Sequence, residues 1–169
     1  MPIHPDRFRR VASQFATGVC VATVLNRGEP FGLTVNSFTS VSLQPPLVLF
    51  CLDREAGLSE IFTHNAQFAL NILAEDQELV SHAFAVRQGD RFRGIRWRKG
   101  HNGAPLLEGV LGHLECRMVR VLPAGDHYVL IGEVTDAQVM DAARGPLIYF
   151  RSRYARLEQA PAAPRTPSE

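Results

Sequence analysis

Lysine is almost missing from this 169-residue chain. Lys99 is the only one, and arginine supplies the rest of the 18 basic side chains. Net charge is +1, so a nucleic-acid-binding surface has no bulk electrostatic support. No run of eighteen apolar residues occurs, which argues against a membrane-spanning helix. The opening "MPIHPDRFRR" carries charge with no apolar run behind it, so no secretory leader is expected. Cysteine is sparse and odd in number. Cys20, Cys51 and Cys116 lie far apart in apolar surroundings, the pattern of free thiols in a reducing cytoplasm rather than a disulfide framework. No metal site is expected. His113 and Cys116 have a workable spacing but no second pair of ligands nearby. There is also no G-x-G-x-x-G and no regular βαβ alternation, which removes a Rossmann dinucleotide domain.

Hydrophobic residues make up 46% and charged residues 21%, enough for a single packed domain. "DRFRRVASQFATG" predicts a helix with Phe8, Val11, Ala12 and Phe15 on one face, Asp6 as N-cap and Gly18 as stop. "VCVATVL" and "FGLTVNS", joined by "NRGEP", predict a hairpin. Pro45-Pro46 then introduces a buried strand over 47–52. A short helix is predicted over "LSEIFTHN", with Leu58, Ile61 and Phe62 inward. A strand follows over "FALNIL", then a helix over "EDQELVSHAFA" with Glu75 and Asp76 in its first turn. Its expected apolar face is Leu79, Val80, Ala83 and Phe84. Residues 87–105 read as a long basic loop. Two long strands follow, "LGHLECRMVRVL" and "HYVLIGEVTDAQV", turned by "PAGD", and then a short strand "PLIYF". The expected domain is 1–157, with a disordered Pro/Ala-rich tail over 158–169. Many strands, few helices and local connections predict a mainly β fold, an antiparallel barrel with peripheral helices.

"GLTVNSFTSVSLQPPLVLFCLD", then "FALNIL", then "GDHYVLIGEV", then "PLIYF", in that order, resembles the flavin reductase family. More closely, it resembles the small NAD(P)H:flavin oxidoreductase components of two-component flavin-dependent monooxygenases. The resemblance runs from about Phe8 to Leu157. It implies a split β-barrel of the FMN-binding type, a Greek-key antiparallel barrel that usually forms a homodimer. It implies hydride transfer from NADH or NADPH to FMN or FAD, with FMN favoured. Reduced flavin would then pass to a partner monooxygenase.

An isoalloxazine ring has a polar edge and a flat apolar face, so its site needs small hydrogen-bonding groups beside an apolar wall. On the resemblance, Thr34, Val35, Asn36, Ser37, Phe38 and Ser40 line the flavin, with Asn36 foremost. Cys51, Leu52, Asp53, Arg54, Ala56, Gly57 and Leu58 approach its ribityl-phosphate side. Free N–H groups at the start of the following helix would suit a phosphate. The family commonly has serine where Ala56 stands, so one hydroxyl is lost there. His127 is the expected catalytic residue. It would position the nicotinamide over the flavin, because hydride transfer depends on alignment rather than on a base. Tyr154 is a further expected contact, whereas Tyr149 and Phe150 are expected in the core. The arginines of 87–105 would clamp phosphates, sit at a dimer interface or simply be solvated, with Phe92 and Trp97 available to stack. Two alternatives carry different chemistry: an FMN-binding redox carrier or sensor, and an oxidase resembling pyridoxamine phosphate oxidases. A simple turn reading of the Ser/Thr run is common in proteins generally.

Overall fold

The computed structural model describes residues 3–87 and 89–158. The tail expected from 158 onward lies, beyond Glu158, outside the described residues. Among the described residues three short helices surround an antiparallel β framework. In chain order the elements are α1 (Pro5–Ala12), β1 (Thr17–Gly18), β2 (Cys20–Asn26), β3 (Glu29–Val35), β4 (Thr39–Leu43) and β5 (Pro46–Asp53). Then come α2 (Ser59–Thr63), β6 (Gln67–Ile72), α3 (Glu78–Ala85), β7 (Trp97–Lys99) and β8 (Pro105–Leu107). β9 (Gly112–Ala124), β10 (His127–Val139), β11 (Ile148–Phe150) and β12 (Arg153–Ala155) complete the described elements. Among the described residues no helix is long and apolar enough to cross a membrane.

Seven strands form one sheet in the order β3-β2-β6-β9-β10-β5-β4. Its ends curl until β3 packs against β5, closing a split barrel. Alternation along β5 explains which side is filled. Val48, Phe50 and Leu52 are buried, and Leu49, Cys51 and Asp53 between them face out. The barrel core contains Val24, Phe50, Leu52, Phe62, Phe68, Leu70 and Leu130. A second cluster, with Val19, Val21, Leu73, Phe84 and Leu107, joins α3 and β8 to the sheet's outer face.

Several expectations change. α1 is capped by His4, whose Nδ1 accepts from the Asp6 N–H at 3.3 Å, and it ends at Ala12. Gly18 belongs to a strand. Phe8, Val11 and Phe15 are 60%, 67% and 77% exposed, so the apolar face of α1 is not covered by its own chain. α3 begins at Glu78, after Glu75 and Asp76, and Leu79 points to solvent. The turn between β9 and β10 is only Gly125-Asp126. Gly125 has φ +62, and a positive φ at the first central position is the pattern of a type II′ hairpin.

Residues 87–105 are not one open loop. β7 and β8 pair as a hairpin, and buried polar groups tie it to the barrel. Asn71 Nδ2 donates to the Val21 carbonyl (3.0 Å) and Thr23 Oγ1 (3.1 Å), while its Oδ1 accepts from the Leu107 N–H at 2.8 Å. Thr23 Oγ1 donates to the Pro105 carbonyl at 2.6 Å, and Asn102 Nδ2 donates to the Phe68 carbonyl at 2.9 Å. Phe92 meets Phe84 and Trp97 edge-on, at 4.8 and 6.0 Å between ring centroids. Phe92 and Trp97 therefore pack against the second cluster instead of standing free to stack on a base.

His113 belongs to this seam. Its Nε2 donates to the Leu107 carbonyl at 2.8 Å, which leaves the buried Nδ1 as an acceptor with no partner among the described residues. Protonating Nδ1 would place charge in the core, so burial lowers this imidazole below its ordinary 6.5. The unfolded chain then binds more protons in the window below 6.5, and stability falls as pH drops through it. Thermal unfolding as a function of pH should show this slope. His113→Gln keeps a donor for Leu107 without the titration, and it should flatten the slope between the ordinary and the lowered value. An unchanged slope would assign the effect to other groups.

Candidate functional site

Gly32 allows α3 to lie directly on β3. A Cβ there would sit 2.7 Å from Phe84 Cε1. This contact sets one wall of a cavity of about 440 Å³, within the usual range for a small-molecule site. The other walls are the end of β3, the outward face of β5, the start of β10 and the β11–β12 hairpin. Thr34, Val35, Asn36, Ser37, Cys51, Asp53, Ala56, His127 and Tyr154 all line it. These residues span 121 positions in sequence, from 34 to 154 counted inclusively, and the fold brings them together.

The polar run divides into two kinds of residue. The Ser37 hydroxyl accepts the Cys51 N–H at 2.8 Å and lies 3.3 Å from the Cys51 carbonyl, pinning the β3–β4 connection onto β5. Thr34 Oγ1 donates to the Ser81 carbonyl at 2.7 Å. Both hydroxyls are thus engaged by the fold. The Asn36 amide is exposed and makes no hydrogen bond among the described residues. Of the three polar side chains of the run that line the cavity, it is the one without a partner among the described residues.

Six expected contacts lie outside this cavity, Gly57 and Leu58 beside a second one. Leu52 falls on the inward side of β5 and is fully buried, because strand alternation turns it away from Cys51 and Asp53. Ser40 pairs with Val48 on the exposed strand β4. Phe38 packs against the barrel core. The Arg54 guanidinium lies over the Tyr128 ring, 5.3 Å from its centroid, and Nη1 reaches the Gly125 carbonyl at 3.4 Å. At the start of α2 the N–H groups of Gly57, Leu58 and Ser59 donate to no described residue, as expected, whereas those just before them are engaged. The N–H groups of Arg54, Glu55 and Ala56 donate to the Asp126 carbonyl, Asp53 Oδ1 and the Asp53 carbonyl. α2 is a single turn with no side-chain cap.

His127 opens β10 directly across from Asp53. Its Nδ1 lies 2.7 Å from Asp126 Oδ1. A carboxylate accepts, so Nδ1 carries the proton and Nε2 is left as the acceptor in the neutral ring. The hydrogen bond from His127, then the attraction of its charged form, holds the Asp126 carboxyl below the usual range.

The sequence reading missed the apolar wall of Val19, Leu33 and Ala85, and it placed Tyr149 in the core. Tyr149 does pack against the second cluster, and it lines the cavity as well. Its signal is hidden in a turn. Arg151 and Ser152 both have positive φ, 50 and 61, and form a two-residue I′-type turn without glycine or asparagine. α1 holds that turn, because the Arg151 N–H donates to the Ser13 carbonyl at 3.0 Å. Only with this register do Tyr149 and Tyr154 pair.

Arg91 is the most informative charge. Its Nη1 donates to the Gly32 carbonyl at 2.8 Å, burial lowers its pKa, and it makes no ion pair with a described residue. A half-buried guanidinium without a carboxylate is a ready anion partner. It stands where the first cavity meets a second of about 550 Å³, which also includes Gly57, Leu58, Phe31 and Phe92. Ala56, Arg87 and Arg91 belong to both cavities.

The three thiols are sorted by the same geometry. Burial pushes Cys20 and Cys116 up to about 12, with the Glu115 charge adding at Cys116, whereas Cys51 faces the cavity. Thiolates are the reactive form. Iodoacetamide should therefore modify Cys51 alone in native protein, as read by peptide mass spectrometry. Equal labelling of all three would contradict this packing.

The antiparallel split barrel thus carries an apolar-walled, polar-rimmed cleft with an arginine that has no carboxylate partner among the described residues. Residues 12–158 match the flavin reductase like domain, and the chain belongs to that family. It is 38% identical over 156 residues to the reductase subunit of a flavin-dependent monooxygenase from Rhodococcus jostii, covering 92% of this chain and 80% of that one. It is 40% identical over 155 residues to an NADH-dependent FAD reductase from Streptomyces globisporus, covering 89% of this chain and 84% of that one. The solved structure of the Streptomyces globisporus NADH:FAD oxidoreductase with NAD and FAD fragments superposes with a TM-score of 0.86. Its identity is 38%, and the match covers 98% of each chain.

Proposed function

We propose that this protein is an NADH-dependent flavin reductase that supplies reduced flavin to a monooxygenase partner in the cytoplasm. The observation that carries the reading is the meeting of Asn36, Arg91 and His127 around one apolar-walled cleft. The residues fit a flavin. Asn36 offers a free amide to the polar ring edge, and Val19, Leu33 and Phe84 offer an apolar wall. Arg91 and Arg87 would hold the phosphate, beside the free N–H groups of Gly57 and Leu58 in the second cavity. When bound, the flavin supplies the hydride acceptor. The chain's own task is to align the nicotinamide with it, through His127 and the tyrosine pair, and to exclude water from the contact.

Two features extend the reading. The second cavity, opening beside Arg91, leaves room for the adenylate half of FAD, so FAD is taken with FMN as a substrate. The uncovered apolar face of α1 supports a homodimer. The test is anaerobic. Protein mixed with catalytic-excess flavin and NADH should bleach the flavin's visible absorbance at roughly 1–10³ turnovers per second. Binding without turnover would instead indicate a redox carrier. No loss of absorbance with either flavin and either nicotinamide would reject the reductase reading.

A further inference from the structure

Ser81 lies in the middle of α3, is fully buried and does not line either cavity. Its carbonyl accepts from Thr34 Oγ1 at 2.7 Å, and its hydroxyl lies 2.7 Å from the Tyr154 hydroxyl. Thr34 and Tyr154 both line the first cavity. Ser81 therefore ties β3 to β12 from behind the wall they share.

Either hydroxyl can donate by geometry, and burial decides which does. The Tyr154 oxygen is the only hydrogen-bond partner of Ser81 Oγ among the described residues. If Tyr154 donated, the Ser81 proton would be stranded in a dry seam, and a buried donor without an acceptor is costly. If Ser81 donates, nothing buried is left unpaired. Tyr154 then accepts, and its own phenolic proton is free. Tyr154 is partly exposed along the cavity, and its ring is held edge-on by Tyr149 (5.5 Å) and His82 (5.0 Å). Its hydroxyl is thus fixed in place with a proton to give.

We infer that Ser81 is a positioning residue that makes Tyr154 a hydrogen-bond donor to a carbonyl oxygen of the ligand in the cavity. The inference rests on the flavin reductase reading for the identity of that ligand. A flavin ring and a nicotinamide carboxamide both present such a carbonyl, and kinetics with both substrates varied separates them.

Tyr154→Phe keeps the ring and removes the donor. It should raise the KM of one substrate roughly 2- to 10-fold, the worth of one hydrogen bond, with kcat changed much less. A rise for NADH assigns the carboxamide; a rise for flavin assigns a ring carbonyl. Ser81→Ala suits a helix interior. It should raise the KM of the same substrate by a smaller factor, and the double variant should be no worse than Tyr154→Phe alone. Thermal midpoints of all variants separate this split from general loosening, which would lower kcat and both affinities together. A silent Tyr154→Phe, additive effects, or Ser81→Ala acting on the other substrate would each overturn the inference while wild-type turnover leaves the reductase reading intact. Should Ser81→Ala fold poorly, Tyr154→Phe alone still decides whether the hydroxyl donates. Absence of wild-type turnover would instead reject the reductase reading itself.

Discussion

Replacing Phe68 by alanine should destabilise the fold by about 3–5 kcal/mol, a large share of the roughly 5–15 kcal/mol that holds a domain together. Phe68 is fully buried on β6, in the middle of the sheet, and meets Phe50 edge-on at 5.5 Å. Its ring reaches over β9 into the space left by a missing side chain on β10. A Cβ on Gly132 would lie 2.3 Å from Phe68 Cζ. The cavity left by Phe68→Ala therefore has no facing side chain able to fill it. The same contact predicts a partner effect. Gly132→Ala should cost about 1–3 kcal/mol by overpacking. Combined with Phe68→Leu, which shortens the intruding side chain, its cost should shrink, giving a favourable coupling between the two sites. Urea unfolding of the single and double variants measures all of these terms. A Phe68→Ala loss below about 1 kcal/mol, or strict additivity of the pair, would show that the barrel interior relaxes freely around this ring.

The core strands were legible because β-branched and aromatic runs such as "VCVATVL" and "FALNIL" carry their own periodicity. β4 was not, because Thr39–Leu43 is an exposed edge strand of small polar residues that only the pairing with β5 makes extended. α1 misled in the opposite sense. Its apolar face is real in the sequence, yet the fold leaves it uncovered. The β7–β8 hairpin escaped notice because Asn71, Thr23 and Asn102, scattered over the chain, hold it in place. At the site, the ordered motifs identified Asn36, Asp53, Ala56, His127 and Tyr154 as neighbours. Sequence order does not say which hydroxyls the backbone has already claimed, so Ser37 and Thr34 looked free. Nor does it give strand parity to a contact list, which is why Leu52 was counted beside Cys51. Arg91 was one of several arginines in a basic segment. Only its burial and its hydrogen bond to the Gly32 carbonyl where two cavities meet, with no carboxylate partner among the described residues, separate it from the solvated ones.

His127→Ala should lower kcat on the order of 10²-fold while changing flavin affinity far less. The imidazole is held from three sides. The tight Gly125-Asp126 turn starts β10 at this residue, Asp53 faces it across the strand pair, and Asp126 fixes Nδ1 at 2.7 Å. That leaves Nε2 as the atom available to the cleft. A misplacement of about 1 Å between reacting partners can cost roughly 10²-fold, and a hydride donor and its acceptor must approach closely and in line. Removing a side chain that only aligns the nicotinamide therefore acts on the transfer step, with the flavin still held by Asn36, Arg91 and the apolar wall. Asp126→Asn should do much less, because its side chain is 92% exposed and solvent screens such a pair, while the asparagine oxygen can still accept from Nδ1. Single-turnover mixing with saturating NADH separates the two steps. If His127→Ala reduces bound flavin at the wild-type rate and only the flavin dissociation constant rises, His127 is a flavin-binding residue and the alignment must come from Tyr149 and Tyr154.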